Sequence, residues 1–172
     1  MNTIEAVMQQ HGVSSVSPQQ ESVPIQVVDA ICINKKKQLL LVLKEDEQTR
    51  ESVYILPGGK VNLGESQREA LVRELHEELS GVYFRLTGLY KQCVAIGTTP
   101  FPHRPIEVAI YAVAIEDYSY MEASSEIDSY AWLSVSDAYG VLSDRMYKGY
   151  DVSNVTIDII EYILEQSAWQ YQ

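Results

Sequence analysis

Glu65, Arg73, Glu74, Glu77 and Glu78 crowd into the stretch GGKVNLGESQREALVRELHEELSG, residues 58–81, whose apolar spacing is helical. Glu74/Glu77 and Glu74/Glu78 are neighbours at i+3 and i+4, where like charges cost a helix about 0.2–0.5 kcal/mol each. They also lie toward the C-terminal end, where the macrodipole disfavours a carboxylate by about 0.3–1 kcal/mol. Arg73 can pair with Glu69 and Glu77 along the helix, but it cannot neutralise the whole stripe. A solvated acidic face is the bland reading of any one glutamate pair. Several carboxylates clustered on a rigid element are also what a hard divalent cation requires, and Mg²⁺ in particular binds through a few carboxylates together with substrate phosphates.

The acidic balance of the chain bears on the same point. A formal net charge of −11 over 172 residues favours solubility and argues against a nucleic-acid surface, which needs a basic patch. An anionic small molecule would need a metal or a local group of lysines and arginines to offset that field. A metal on the glutamate stripe relieves the repulsion within the helix and the repulsion of the ligand together.

The elements that must position this stripe can be read around it. Ser66 and Glu69 have the spacing of a capping box, so a helix is expected to begin after Ser66. Gly81 is placed to end it as the left-handed residue after the last turn. Leu71, Val72, Leu75 and Leu79 share a flank that must face a core. Ahead of the helix, SVYILPGG reads as a short strand running into Pro57-Gly58-Gly59, where the backbone can take unusual dihedrals.

IQVVDAICIN and QLLLVLKE, separated by Lys35-Lys36-Lys37, suggest a hairpin. VYFRLTGLYKQCVAIG and IEVAIYAVAIEDY are two further strands joined by the loop TTPFPHRP, and DSYAWLS is another. SVSDAYGVL is a short helix, and NVTIDIIEYILEQ, with an apolar stripe at Val155, Ile159, Ile160, Ile163 and Leu164, is a terminal helix. The expected architecture is α/β, a mixed sheet between helices. Residues 1–23, rich in Ser, Gln and Val, read as a tail or linker, and residues 24–172 as a single domain.

Hydrophobic residues make up 46% of the chain and charged residues 22%, ordinary usage for a globular domain. Neither a signal-peptide pattern nor an apolar run long enough to span a bilayer is present, so the expectation is a cytoplasmic protein with no membrane association. Cys32 and Cys93 are too far apart in sequence for a metal-ligand motif and read as reduced core thiols.

Gly59, Glu65 and Arg73-Glu74-Leu75-His76-Glu77-Glu78 stand in the spacing G-x5-E-x7-R-E-U-x-E-E-x-G-U, with U aliphatic, so the chain resembles the Nudix family. Leu56-Pro57-Gly58-Gly59-Lys60 is similar to the entry of MutT-type members. The box covers residues 59–81, and the order of elements extends the resemblance over about residues 24–168. One position departs from the pattern: Ser80 stands where the family has glycine, and Gly81 follows one place later.

The resemblance implies a Nudix α/β/α sandwich and a Mg²⁺-dependent pyrophosphohydrolase, with Mn²⁺ as an alternative ion. It implies Glu74 and Glu78 as principal metal ligands, Glu77 as a ligand directly or through water, the Gly58 carbonyl as a further donor, Glu65 near the metal orienting water, and Arg73 holding a box glutamate in place. MutT-type enzymes place another glutamate shortly before a tryptophan-bearing strand; Glu126, upstream of Trp132, is the candidate ligand or general base, against the alternative of an exposed loop acid beside Asp128. Lys44 and Lys60 are candidates to meet phosphates, and His103 and Arg104 to touch a base or sugar. The expected partner is a nucleotide small molecule, and the N-terminal extension could contribute to a homodimer.

The proline that marks ADP-ribose hydrolases downstream of the box is absent, Ile96 standing at that position. A nucleoside triphosphate, including an oxidised or otherwise damaged one, is therefore the leading substrate, with ADP-ribose or another nucleoside diphosphate derivative as runner-up. A non-catalytic nucleotide-binding regulator is the rival class. Such domains have lost the metal-binding glutamates, whereas Glu65, Glu74, Glu77 and Glu78 are all present here.

Overall fold

The structure, a computed structural model, describes residues 23–45, 50–96 and 105–143. Nine strands and two helices lie within them. Strand β1 (Ile25–Ile33) is buried over its last seven residues, on both faces, which fits a strand with layers on either side rather than one half open to water. It pairs in parallel with β7 (Pro105–Asp117) along its whole length, from Ile25↔Ile106 to Ile33↔Ala114. β7 in turn pairs antiparallel with β6 (Tyr83–Ile96), as the two long apolar runs predict.

The other edge of β1 is shared. Its first half takes β4 (Gly58–Lys60), with Val27↔Lys60 and Asp29↔Gly58 in register. Its last residue takes the start of β2 (Leu39–Glu45) at Ile33↔Leu39. The expected β1–β2 hairpin is thus a tight turn and one residue pair, after which the strands part. Asn34 holds the turn, its Oδ1 accepting from the N–H of Lys36 at 2.9 Å and of Gln38 at 3.0 Å. β2 then pairs antiparallel with β3 (Ser52–Ile55) on one side and β9 (Ser129–Leu133) on the other. The result is a seven-stranded mixed sheet ordered β3-β2-β1-β7-β6, with β4 beside β1 and β9 beside β2.

Helix α1 (Gln67–Glu78) packs on β4 and β1, and α2 (Val135–Ser143) on β2, β3 and β9, giving the expected α/β/α sandwich. Leu71, Leu75 and Leu79 are fully buried with Ile31, Ile33 and Leu56, so three of the four residues of the apolar flank read from the sequence face the core, while Val72 is only partly buried and stands outside it. Cys32 lies in the same core as a free thiol. A second, two-stranded sheet joins β5 (Leu79–Ser80) to β8 (Glu122–Ala123).

The end of α1 corrects one expectation. Gly81 does take the left-handed conformation, with φ 66°, but it does not terminate the helix. The capping residue is Leu79, whose extended backbone carries the chain straight into β5. Gly81 instead makes the turn after β5, where a Cβ would stand 2.1 Å from the carbonyl oxygen of Tyr120. The expected tail up to residue 22, the TTPFPHRP loop as far as Arg104, and the terminal helix all lie outside the described residues, as does the side chain of Cys93. Among the described residues no helix is long and apolar enough to cross a membrane.

Candidate active site

The acidic helix begins as its sequence requires. Ser66 Oγ accepts from the Glu69 N–H at 3.3 Å, and Glu69 Oε2 accepts from the Ser66 N–H at 2.8 Å, which closes the capping box. This start fixes the rotation of α1 and hence the side its glutamates face. Ala70, Glu74 and Glu78 line a stripe beside Leu71 and Leu75, and both glutamates are withdrawn from solvent. Glu74 is 9% exposed and Glu78 0%. Only Glu77 remains on the open side.

Arg73 draws three carboxylates together. Its Nε donates to Glu65 Oε1 at 2.8 Å and its Nη2 to Glu65 Oε2 at 3.1 Å, a two-point grip. Nη1 donates to Glu74 Oε1 at 2.9 Å and to Glu77 Oε2 at 2.7 Å. The remaining direction of Nη2 is taken by the Lys60 carbonyl at 2.9 Å, which ties the guanidinium to β4. The hydrogen bonds from Arg73, and then that from the Asn62 N–H, hold Glu65 below the usual carboxylate range. The bond to Glu65 likewise pushes Arg73 up, so it stays charged.

Glu78 is served differently. Its Oε2 accepts from the Gly58 N–H at 3.0 Å, and Lys44 Nζ stands 3.8 Å from its Oε1. Lys44 is thus beside the buried carboxylate, while its side chain stays 41% exposed and open to a ligand. Burial pushes the Cys32 thiol up, and the charge of Glu78 adds to that, which keeps the thiol protonated and unreactive.

The diglycine allows this closeness. A Cβ on Gly59 would lie 2.3–2.4 Å from the carboxylate atoms of Glu74. A Cβ on Gly58, whose φ is 143°, would lie 2.1 Å from the Val28 carbonyl and 2.9 Å from Asp29 Oδ1. Asp29 is fully buried next to Gly58 and was not singled out from the sequence. Its signal was a single charge within the apolar run IQVVDAICI.

Glu126 lies on an exposed turn whose neighbour Ser124 bonds to the end of α1: the Ser124 N–H donates to the Glu78 carbonyl at 2.9 Å, and Ser124 Oγ to the Glu77 carbonyl. The Lys60 side chain is exposed on β4. His103 and Arg104 lie outside the described residues. Trp132 is half-buried on β9, its ring 5.0 Å from that of Tyr118, a packing role.

Among the described residues no three or more Asp, Glu, His or Cys side chains are arranged to hold a metal ion as they stand, the carboxylates being grouped about Arg73 instead. The donor set nevertheless fits a hard divalent ion. It is all oxygen, it lies on one helix and the strand β4 beside it, and the absence of a side chain at Gly59 lets the Glu74 carboxylate close directly onto that strand.

Fold and carboxylate cluster together are those of an α/β/α sandwich with an acidic helix packed beside a diglycine strand. Residues 23–152 match the NUDIX domain, and the chain belongs to the Nudix family. It is similar to the CTP pyrophosphohydrolase of Escherichia coli strain K12, with 46% identity over 55 residues, 32% of this chain and 40% of that protein. The match therefore spans less than half of that relative. Among solved structures it is similar to the E. coli ORF135 protein, with a TM-score of 0.60 and 26% identity over 86% of this chain and 93% of the other. It is also similar to a MutT protein from Methanosarcina mazei Go1, with a TM-score of 0.61 and 26% identity over 84% and 96% of the two chains.

Proposed function

We propose that this chain is a Mg²⁺-dependent pyrophosphohydrolase that converts a nucleoside triphosphate, an oxidised or damaged one included, into the monophosphate and pyrophosphate. The observation that carries this reading is the gathering of Glu65, Glu74 and Glu77 by one guanidinium beside the buried Glu78, with Lys44 at its rim. The relative named as a CTP pyrophosphohydrolase supports a triphosphate as the substrate class.

In this reading Glu74 and Glu78 hold the ion, Glu77 assists directly or through water, and the Gly58 carbonyl is a further donor. When bound, the ion supplies neutralisation of phosphoryl charge and a more acidic water. Glu65 orients water, Arg73 keeps Glu65, Glu74 and Glu77 in fixed directions, and Lys44 and Lys60 meet the phosphates. Water oxygen bonds to phosphorus, the bridging P–O bond between α and β breaks, and Glu126 takes the proton of the attacking water. The buried, reduced Cys32 is in keeping with a cytoplasmic setting.

The test is a screen of the purified chain in MgCl2 against CTP, the other triphosphates, oxidised triphosphates, nucleotide sugars and dinucleoside polyphosphates, with product identification. Monophosphate plus pyrophosphate from a triphosphate, abolished by EDTA and by Glu78→Gln, is expected. Two monophosphates released from a nucleotide sugar in preference to any triphosphate turnover would overturn the substrate class.

A further inference from the structure

The four C-terminal carbonyls of a helix need donors from outside it. In α1, two of them receive both donors of one residue, Ser124: its N–H reaches the Glu78 carbonyl at 2.9 Å and its hydroxyl reaches the Glu77 carbonyl. Glu77 and Glu78 are the residues whose side chains form the end of the acidic stripe. The same hydroxyl oxygen accepts from the Glu126 N–H at 3.2 Å, and the Ser124 carbonyl accepts from the Ile127 N–H at 3.4 Å. With its hydrogen committed to Glu77, the hydroxyl uses a lone pair for Glu126, so both bonds coexist without competing.

On either side of Ser124 the turn is anchored to the main body. Before it, Leu79↔Ala123 and Ser80↔Glu122 pair in the β5–β8 sheet. After it, the Asp128 N–H donates to the Leu43 carbonyl at 2.8 Å, next to Lys44. The β5–β8 pairing also accounts for the departure at Ser80. A glycine turning the chain at position 80 would leave no second residue to pair with Glu122, whereas its displacement to Gly81 gives β5 two residues before the turn.

We propose that Ser124 is a positioning residue that sets where Glu126 stands relative to Glu77 and Glu78, by fastening the turn of residues 122–128 to the end of α1. This rests on the reading of Glu126 as a group that serves the hydrolysis. The bonds on either side of Ser124 are backbone bonds that a side-chain change leaves in place, so removing its hydroxyl loosens the aim of Glu126 without detaching the turn.

Steady-state kinetics on the full chain with CTP and MgCl2 test this with Ser124→Ala, Ser124→Thr, Glu126→Gln and the Ser124→Ala/Glu126→Gln pair, together with urea midpoints. Ser124→Ala is expected to lower kcat roughly tenfold with KM within about twofold, and Ser124→Thr to restore most of it. In the Glu126→Gln background, Ser124→Ala should cost nothing further, because the group it aims is already gone. A merely structural role predicts a lower urea midpoint and a loss of equal size in both backgrounds, and that result overturns the proposal, as does a Ser124→Ala enzyme with wild-type kcat. If the wild-type chain turns over CTP but Glu126→Gln does so equally well, the role of Glu126 and this inference fall together while the hydrolase reading stands. A wild-type chain that hydrolyses neither CTP nor any other triphosphate overturns the function reading first.

Discussion

Arg73 grips Glu65 through two parallel bonds, Nε to Oε1 at 2.8 Å and Nη2 to Oε2 at 3.1 Å, and the third nitrogen of the same guanidinium reaches Glu74 and Glu77. A lysine has one ammonium and no fork, so it cannot serve these three carboxylates in their present directions. If the proposed function holds, Arg73→Lys is expected to lower kcat on a triphosphate by about 10–100-fold, the usual effect of losing a residue that orients metal ligands. Kinetics across a Mg²⁺ titration check this. A variant with unchanged kcat and unchanged Mg²⁺ dependence would show that the grip is surface pairing alone.

Glu78 is fully buried, with the Gly58 N–H donating to its Oε2 and Lys44 beside its Oε1. Glu78→Gln keeps an amide oxygen for Gly58 while removing the charge, so the fold should survive and Mg²⁺-dependent turnover should not. In a thermal melt, wild type should be stabilised by Mg²⁺ by about 2.7 kcal/mol at a hundred times the dissociation constant, and the variant by much less. Equal Mg²⁺ stabilisation of the two proteins would count against Glu78 as a ligand.

The elements and the acidic stripe were largely legible in the sequence, because each rests on local chemistry. The Ser66/Glu69 spacing makes the capping box, the leucine periodicity gives the buried flank, and the alternation of apolar runs gives β6, β7 and β9. What escaped depends on contacts between distant segments. The β1–β2 hairpin opens after one pair because β4 takes the edge of β1 and β9 takes that of β2. The helix ends in a strand because β8, some forty residues later, offers it a partner. Glu74 and Glu78 are buried where β4 packs on α1, and β2, distant in sequence, brings Lys44 within 3.8 Å of Glu78. No periodicity in the sequence carries those facts.

The capping box predicts a pH effect on stability. The Ser66 N–H, and then its hydroxyl, hold the Glu69 carboxyl below its ordinary value of 4.5. A carboxylate whose folded pKa is depressed stabilises the fold fully above its unfolded pKa, and that contribution is lost as pH falls from about 4.5 through the lower folded value. Urea midpoints measured from pH 6 down to pH 3 should fall more steeply for wild type than for Glu69→Gln. At pH 7, Ser66→Ala should cost about 1 kcal/mol, the common value for an N-cap. Parallel pH profiles for wild type and Glu69→Gln would refute the assignment.

The two glycines ahead of the helix should separate activity from stability. A Cβ on Gly59 meets the far end of the Glu74 side chain at 2.3 Å, and a side chain can swing away, so Gly59→Ala should fold with a nearly unchanged urea midpoint. Swinging Glu74 away takes its Oε1 from Arg73 Nη1 and withdraws a carboxylate that the proposed mechanism needs, so kcat should fall by about tenfold or more. A Cβ on Gly58 meets backbone, the Val28 carbonyl at 2.1 Å, at a φ of 143° that other residues seldom adopt. Backbone cannot swing aside, so Gly58→Ala should destabilise by more than about 1 kcal/mol and lose activity along with the fold. Urea denaturation and kinetics on both variants check the contrast. Equal stability losses at the two positions would mean that Glu74 is held as rigidly as the backbone itself.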